Sequence, residues 1–264
     1  MSASTADPPA PTHTSPSSSF RWLGEFLSSS VGAKFLIALT GIALTGFVIV
    51  HLLGNLQIFL GRDAMNGYAQ SLKSLGPLLW VARGGLLTVF VIHLFLALRL
   101  WKRSLDARPV PYKYQRFIRA TWTSRTMWMT GLVILAFVGF HLAHFTFGWL
   151  GRVDDGTGNS VSYLDLKDAD YKQKTGDDRH DVYRMFIAGF RNVPIVGLYL
   201  VCMILLGLHL LHGVRSLFQT LGLNHSKYNA AFELLGYGIS GAVVAGNVLM
   251  PLAVLFRMIG IDVP

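Results

Sequence analysis

Charge is scarce in this chain. Asp, Glu, Lys and Arg make up only 14% of its 264 residues, against about 25% in an ordinary soluble domain, while 52% are hydrophobic. That balance excludes a disordered protein and argues against a soluble enzyme of this size. Cysteine is scarcer still. With Cys202 alone, the chain cannot build a disulfide framework, an iron–sulfur cluster or a Cys-based zinc site from its own residues. The net charge of +9 would suggest nucleic acid in a soluble protein. No nucleic-acid motif accompanies it, and its distribution reads instead as membrane topology.

Residues 1–19 (MSASTADPPAPTHTSPSSS) hold no apolar run and read as a disordered tail in which His13 is inert. They have neither the basic start and apolar stretch of a signal peptide nor the arginines of a transit peptide. Residues 20–33 place Phe20, Trp22, Leu23 and Phe26 on one side of a short interfacial helix. Five apolar segments follow, at about 35–60, 78–101, 126–150, 192–218 and 234–257. Each has about the 20 residues that cross a bilayer as a helix. The backbone must satisfy itself there, so the predicted fold is an all-α membrane protein with five transmembrane helices. The 102–125 loop carries Lys102, Arg103, Arg108, Lys113, Arg116, Arg119 and Arg125 against Asp106. It is expected to be cytoplasmic, with the N-terminus inside and the C-terminus outside. The 151–191 loop, with eight acids and seven bases, fits the outer side. Its end, 180–191, is expected as a helix lying on the membrane.

Six of the nine histidines lie within these segments: His51, His93, His141, His144, His209 and His212. A single intramembrane histidine is explained as well by a helix–helix hydrogen bond as by function. Six of them in four successive helices, and none in the fifth, are not. Lys34 to His51, Pro77 to His93, Arg125 to His141 and Asn192 to His209 are offsets of 17, 16, 16 and 17 residues. At 1.5 Å per residue these are about 24–26 Å within a hydrocarbon core of ~30 Å. Each histidine therefore sits near the far end of its own helix. Because successive helices alternate in direction, His51 and His141 share the outer level, and His93 and His209 the inner one. Two pairs of imidazoles at two depths is what two bis-histidine haems require, one iron held between two facing helices at each level. Zinc would need four ligands at one point.

Local repeats select the ligand of each doublet. Thr40-Gly41 precedes His51 as Thr130-Gly131 precedes His141, at the same spacing. His93-x-x-x-Ala97-x-Arg99 matches His209-x-x-x-Gly213-x-Arg215. His144 and His212 then read as neighbours of haem or quinone, with ligation by either as the alternative. Gly41, Gly46, Gly54, Gly84, Gly85, Gly131, Gly139, Gly207 and Gly213 suit a flat macrocycle between helices, although close helix packing explains each glycine equally well.

HLLGNL at 51–56, HLFLALR at 93–99, SRTMWMTG at 124–131, HLAHF at 141–145, and GLHLLHGVRSLFQTLG at 207–222 followed by NHSKY at 224–228 carry a family resemblance. Over about 20–262 the chain resembles the cytochrome b subunit of succinate dehydrogenases and fumarate reductases of the di-haem, five-helix class. The resemblance implies one di-haem transmembrane domain over 20–264, with four helices enclosing two haems b and the fifth alongside. It carries His51, His93, His141 and His209 across as iron ligands. It implies flavoprotein and iron–sulfur subunits on the cytoplasmic face of a bacterial membrane, with menaquinone or ubiquinone as electron partner. The acidic 151–180 insertion is longer than the family pattern.

The chain has no flavin fingerprint and no cysteine cluster, so succinate oxidation is not its own chemistry. Its expected role is to anchor the catalytic subunits and conduct electrons through haem to quinone. Arg99 and Arg215 are candidates for inner-haem propionates; ordinary positive-inside residues explain them as well. The apolar segments hold no buried Asp or Glu, Glu233 standing at a helix start, so a carboxylate relay is unsupported. Candidate quinone contacts are Ser29, Ser30 and Lys34 on the inner side, and Asn55 or His144 on the outer; helix capping is the competing reading for each serine. Two other readings remain. One is the cytochrome b subunit of a hydrogenase or formate dehydrogenase, which lacks the 207–228 string. The other is a transporter whose histidines relay protons. The charge asymmetry makes a direct prediction. A membrane-impermeant thiol reagent added from outside should label a cysteine placed in 155–178 and spare one in 105–118; the reverse pattern would invert the topology.

Overall fold

The computed structural model describes residues 21–107, 110, 121–154 and 158–261. The tail over 1–19 and the middle of the basic loop lie outside the described residues. The structure is 81% helical and packs as a helical bundle. Five helices are long and apolar enough to cross a membrane, which marks the chain as a multi-pass membrane protein.

The first interfacial helix is shorter than 20–33. It is α1 (Arg21–Ser28), after which the chain breaks at Ser29 and restarts as α2 (Ser30–Asn55). Ser29 causes the break: it is the N-cap of α2, accepting from the Gly32 N–H at 2.9 Å and donating to the Phe26 carbonyl at 2.6 Å. A Cβ at Gly32 would run into that same carbonyl, so the corner requires glycine. A 3-10 turn (Leu56–Leu60) and Gly61, at φ 96°, end this span. Next comes α3 (Arg62–Ser74), which hydropathy did not reveal because its mean character is polar. Gly76, at φ 54°, and Pro77 at the first position then open α4 (Pro77–Asp106).

The short α5 (Trp122–Arg125) leads into α6 (Met127–His141). A π-helical turn (Leu142–Thr146) extends α6, closed by the Phe147 N–H to the Leu142 carbonyl at 2.8 Å. A two-stranded antiparallel hairpin follows: β1 (Arg152–Asp154) pairs with β2 (Ser160–Ser162), Arg152 opposite Ser162. Then come α7 (Ala169–Thr175) and α8 (Val182–Gly189). The fourth span is α9 (Val193–Thr220), capped by Asn192. The fifth is α10 (Ser226–Leu255), which starts well before 234. His225 caps it, its Nδ1 accepting from the Lys227 N–H at 3.1 Å. Glu233 therefore lies inside α10, where it pairs with Arg215 at 2.6 Å, and not at a helix start.

In the bundle α2 packs on α4, α6 on α9, and α9 on α2. α10 lies chiefly on α9, where Ser240 Oγ donates to the Gly207 carbonyl at 2.5 Å. A Cβ at Gly207 would overlap Val244, so glycine sets that close approach. Across α4 and α6, Trp101 and Trp128 stack at 5.5 Å.

The 151–191 insertion is a built cap at the end of the bundle where α2 meets α4. The expected helix at its end is α8, which packs on α3 and buries Tyr183, Met185, Phe186 and Ile187. A buried polar clamp locks the two. Asn66 on α3 is fully buried and donates to Asp168 at 2.9 Å and Asp181 at 3.0 Å, while accepting from the Tyr183 N–H at 2.9 Å. Arg179 spans Asp168 at 2.7 Å and Asp63 at 2.6 Å. Burial alone would raise the Asp168 pKa. Hydrogen bonds from Asn66, Arg179 and the Tyr171 N–H, with the Arg179 charge, outweigh that and hold it below the ordinary 3.8.

A depressed carboxylate pKa stabilises the fold above its unfolded value and loses that contribution as pH falls through the folded value. The cap should therefore stay protected from protease near neutrality and loosen only below about pH 3.8. Asp168→Asn leaves buried Arg179 with the exposed Asp63 alone. It should cost about 3–5 kcal/mol of cap stability, read as hydrogen exchange over 163–190 at neutral pH.

Candidate functional site

The intramembrane histidines fall into the two levels that helix depth dictates. At one level, called inner after the orientation expected from the charges, His93 on α4 meets Thr40 on α2, with Nδ1 3.0 Å from the threonine Oγ1. His209 on α9 meets Thr130 on α6 in the same way, at 3.3 Å. His93 and His209 also lie within electrostatic range of each other. The two halves match closely. A Cβ at Gly41 would stand 3.6 Å from His93 Cε1, and one at Gly131 would stand 3.6 Å from His209 Cε1. The helix pair α2–α4 is thus repeated as α6–α9.

The threonines bear on which imidazole nitrogen is bare. Thr40 Oγ1 donates its one hydrogen to its own helix, to the Leu36 carbonyl at 2.8 Å. Thr130 Oγ1 does the same to the Met127 carbonyl at 3.0 Å. In each case the carbonyl is the shorter contact, and a hydroxyl hydrogen kept there leaves the oxygen to accept from the histidine. In that arrangement the proton lies on Nδ1 of His93 and of His209, and Nε2 of each keeps a free lone pair. That is the tautomer of a metal-ligating histidine with an oriented partner behind it. The Thr-Gly dipeptide precedes His51 and His141 in sequence, yet it serves the histidine of the neighbouring helix.

At the outer level the His51 and His141 ring centroids are 5.8 Å apart, with planes at 88°. Two imidazoles on opposite sides of one metal have centroids roughly 6 Å apart, given metal–nitrogen bonds of about 2.0–2.1 Å. His51 is exposed and stacks on Phe47 at 5.4 Å. His141 is half-buried, its Nδ1 3.3 Å from the Tyr199 hydroxyl. Among the described residues no group of three or more His, Cys, Asp or Glu converges on a metal position. The donor set is therefore two separate imidazole pairs.

His144 and His212 differ from their neighbours. The π-turn adds a residue to the turn that carries His144. His144 is fully buried among Phe140, Phe145, Tyr163, Phe190 and Tyr199. His212 is half-buried, one turn along α9 from His209. Arg99 donates to the Ser28 carbonyl at 2.7 Å, closing the end of α1. Arg215 is engaged by Glu233.

Among the inner quinone candidates, Ser29 is the cap of α2, and Ser30 and Lys34 are exposed on its first turns. Asn55 is half-buried at the far end of the same helix, so the structure does not bring it near them. A cavity of about 580 Å³ lies at the corner of α3 and α4, lined by Lys73, Gly76, Pro77, Leu79, Trp80 and Arg83, away from all six histidines. Tyr199 is the site residue that a search for ionisable groups passed over. Counting depth from Thr130 and His209 places it level with His141.

Comparison with protein-family models, with characterised proteins and with solved structures returns no match.

Proposed function

We propose that this chain is the di-haem cytochrome b subunit and membrane anchor of a succinate:quinone oxidoreductase. In that reading it passes electrons between an iron–sulfur subunit and quinone. The observation that carries the haem reading is the pair of threonine–histidine contacts. They leave Nε2 of His93 and His209 available at one level, while the His51 and His141 rings lie 5.8 Å apart at the other. The succinate-oxidising partner is supported by the 207–228 string and the motifs around each histidine. Bound haem supplies one-electron chemistry, which no side chain here provides alone.

The chain's own residues then do the following. His93 with His209, and His51 with His141, offer one nitrogen each from facing helices. Thr40 and Thr130 hold the inner rings in one orientation. Bundle packing keeps water from the inner pair, and the cap seats the outer end. The basic 102–125 loop faces the cytoplasm, where flavoprotein and iron–sulfur subunits dock.

Replacing His93 or His209 with Ala should remove one low-spin haem, and replacing His51 or His141 should remove the other. His144→Ala and His212→Ala should retain both. If His144→Ala abolishes a haem and His141→Ala does not, the ligand moves one turn along that helix. Co-purification with a covalent-flavin subunit tests the succinate assignment. A hydrogenase or formate dehydrogenase partner in its place would contradict that assignment and leave the haem sites standing.

A further inference from the structure

We infer that Tyr199 is the positioning residue of the outer histidine pair, acting on His141 at the head of a hydrogen-bond chain that ends at His144. This rests on the di-haem reading and deepens it by distinguishing the two sites. The Tyr199 hydroxyl lies 3.3 Å from His141 Nδ1 and 3.1 Å from His144 Nδ1. A phenol has one hydrogen, so at least one of these imidazoles donates to it. With His141 bound through Nε2, its Nδ1 carries the proton and donates to the phenol oxygen. The phenol then donates to His144 Nδ1, and the remaining proton of His144 sits on Nε2. That Nε2 is the atom found buried with no hydrogen-bond partner. With His141 donating, the chain runs from His141 through Tyr199 to His144.

Packing fixes it in place. Tyr199 is 5% exposed and meets Phe137 at 5.0 Å and Phe190 at 4.8 Å, both edge to face. The cap closes the far side. A Cβ at Gly189 on α8 would come within 2.9 Å of the Phe145 ring and 3.3 Å of His144 Cε1. So α8 is seated directly on this aromatic box.

The inner level is built differently. Thr40 and Thr130 spend their hydrogens on their own helix carbonyls, and each chain stops there. A phenol that is itself donating is a stronger acceptor than an isolated one, because linked hydrogen bonds polarise one another. Donation to that phenol gives His141 negative character, which favours the oxidised iron at the outer level.

The test is a redox titration of the full complex carrying Tyr199→Phe, with His51→Ala identifying which haem is outer. The variant should raise the outer midpoint potential by about tenfold in the oxidised-to-reduced ratio, about 59 mV for one electron, and leave the inner haem unchanged. Thr40→Val should move the inner haem alone. If Tyr199→Phe sheds the outer haem, His144→Phe carries the test. It keeps the phenol on His141 and should shift the outer potential in the same direction, by less. An unmoved outer potential, or equal movement of both haems, overturns the inference. A wild-type chain without haem overturns the di-haem reading itself, a separate result.

Discussion

An imidazole inside a bilayer has no water to satisfy its two ring nitrogens, and most of this bundle follows from that constraint. For His93 and His209 one nitrogen is answered by a threonine hydroxyl on the adjacent helix. The threonine hydroxyl makes its shorter contact to its own backbone, which leaves its oxygen to accept from the imidazole. The proton then lies on Nδ1 and the other nitrogen is left bare. That is costly for a purely structural side chain and suits one that holds a metal. It also explains why helices α2 with α4, and α6 with α9, pair as they do: each Thr-Gly step presents a hydroxyl and a Cβ-free surface to the histidine opposite.

The two halves of the bundle are alike at the inner end and unlike at the outer. His51 is held by stacking on Phe47, while His141 backs onto Tyr199 and His144. The cap over 151–191 supplies the difference. Its α8 packs into the aromatic cluster around His144, and the clamp of Asn66, Asp168, Arg179 and Asp181 ties it to α3. Charges buried this way are weak evidence for stability but good evidence for a single geometry, because any misplacement strands one of them. The insertion thus closes over the aromatic cluster around His144.

The five spans were legible because long apolar runs in a bilayer have no alternative to helix. The depth pairing was legible because alternating direction is forced by consecutive crossings. Other features were not. The opening turns of α10 are polar, so hydropathy put its start eight residues late; the capping string at 224–229 marks the true beginning. The amphipathic α3 has no long apolar run, and its partner Asp168 lies about a hundred residues away. Ser29 was readable as a cap, and it is one. The Thr-Gly repeat was visible, but its partner was not, since sequence spacing within one helix says nothing of which neighbour a side chain meets. Tyr199 was hidden for another reason: it is neither charged nor a usual ligand, and only its depth gave it away.

The central claim is that two imidazole pairs at two depths each hold one iron porphyrin. Pyridine haemochrome quantitation on the intact, detergent-purified chain tests it most directly. The account predicts two haems b for every polypeptide, both low-spin. One haem for each chain would contradict the two-level pairing. None, with the bundle folded, would return the histidines to a proton-relay or structural role.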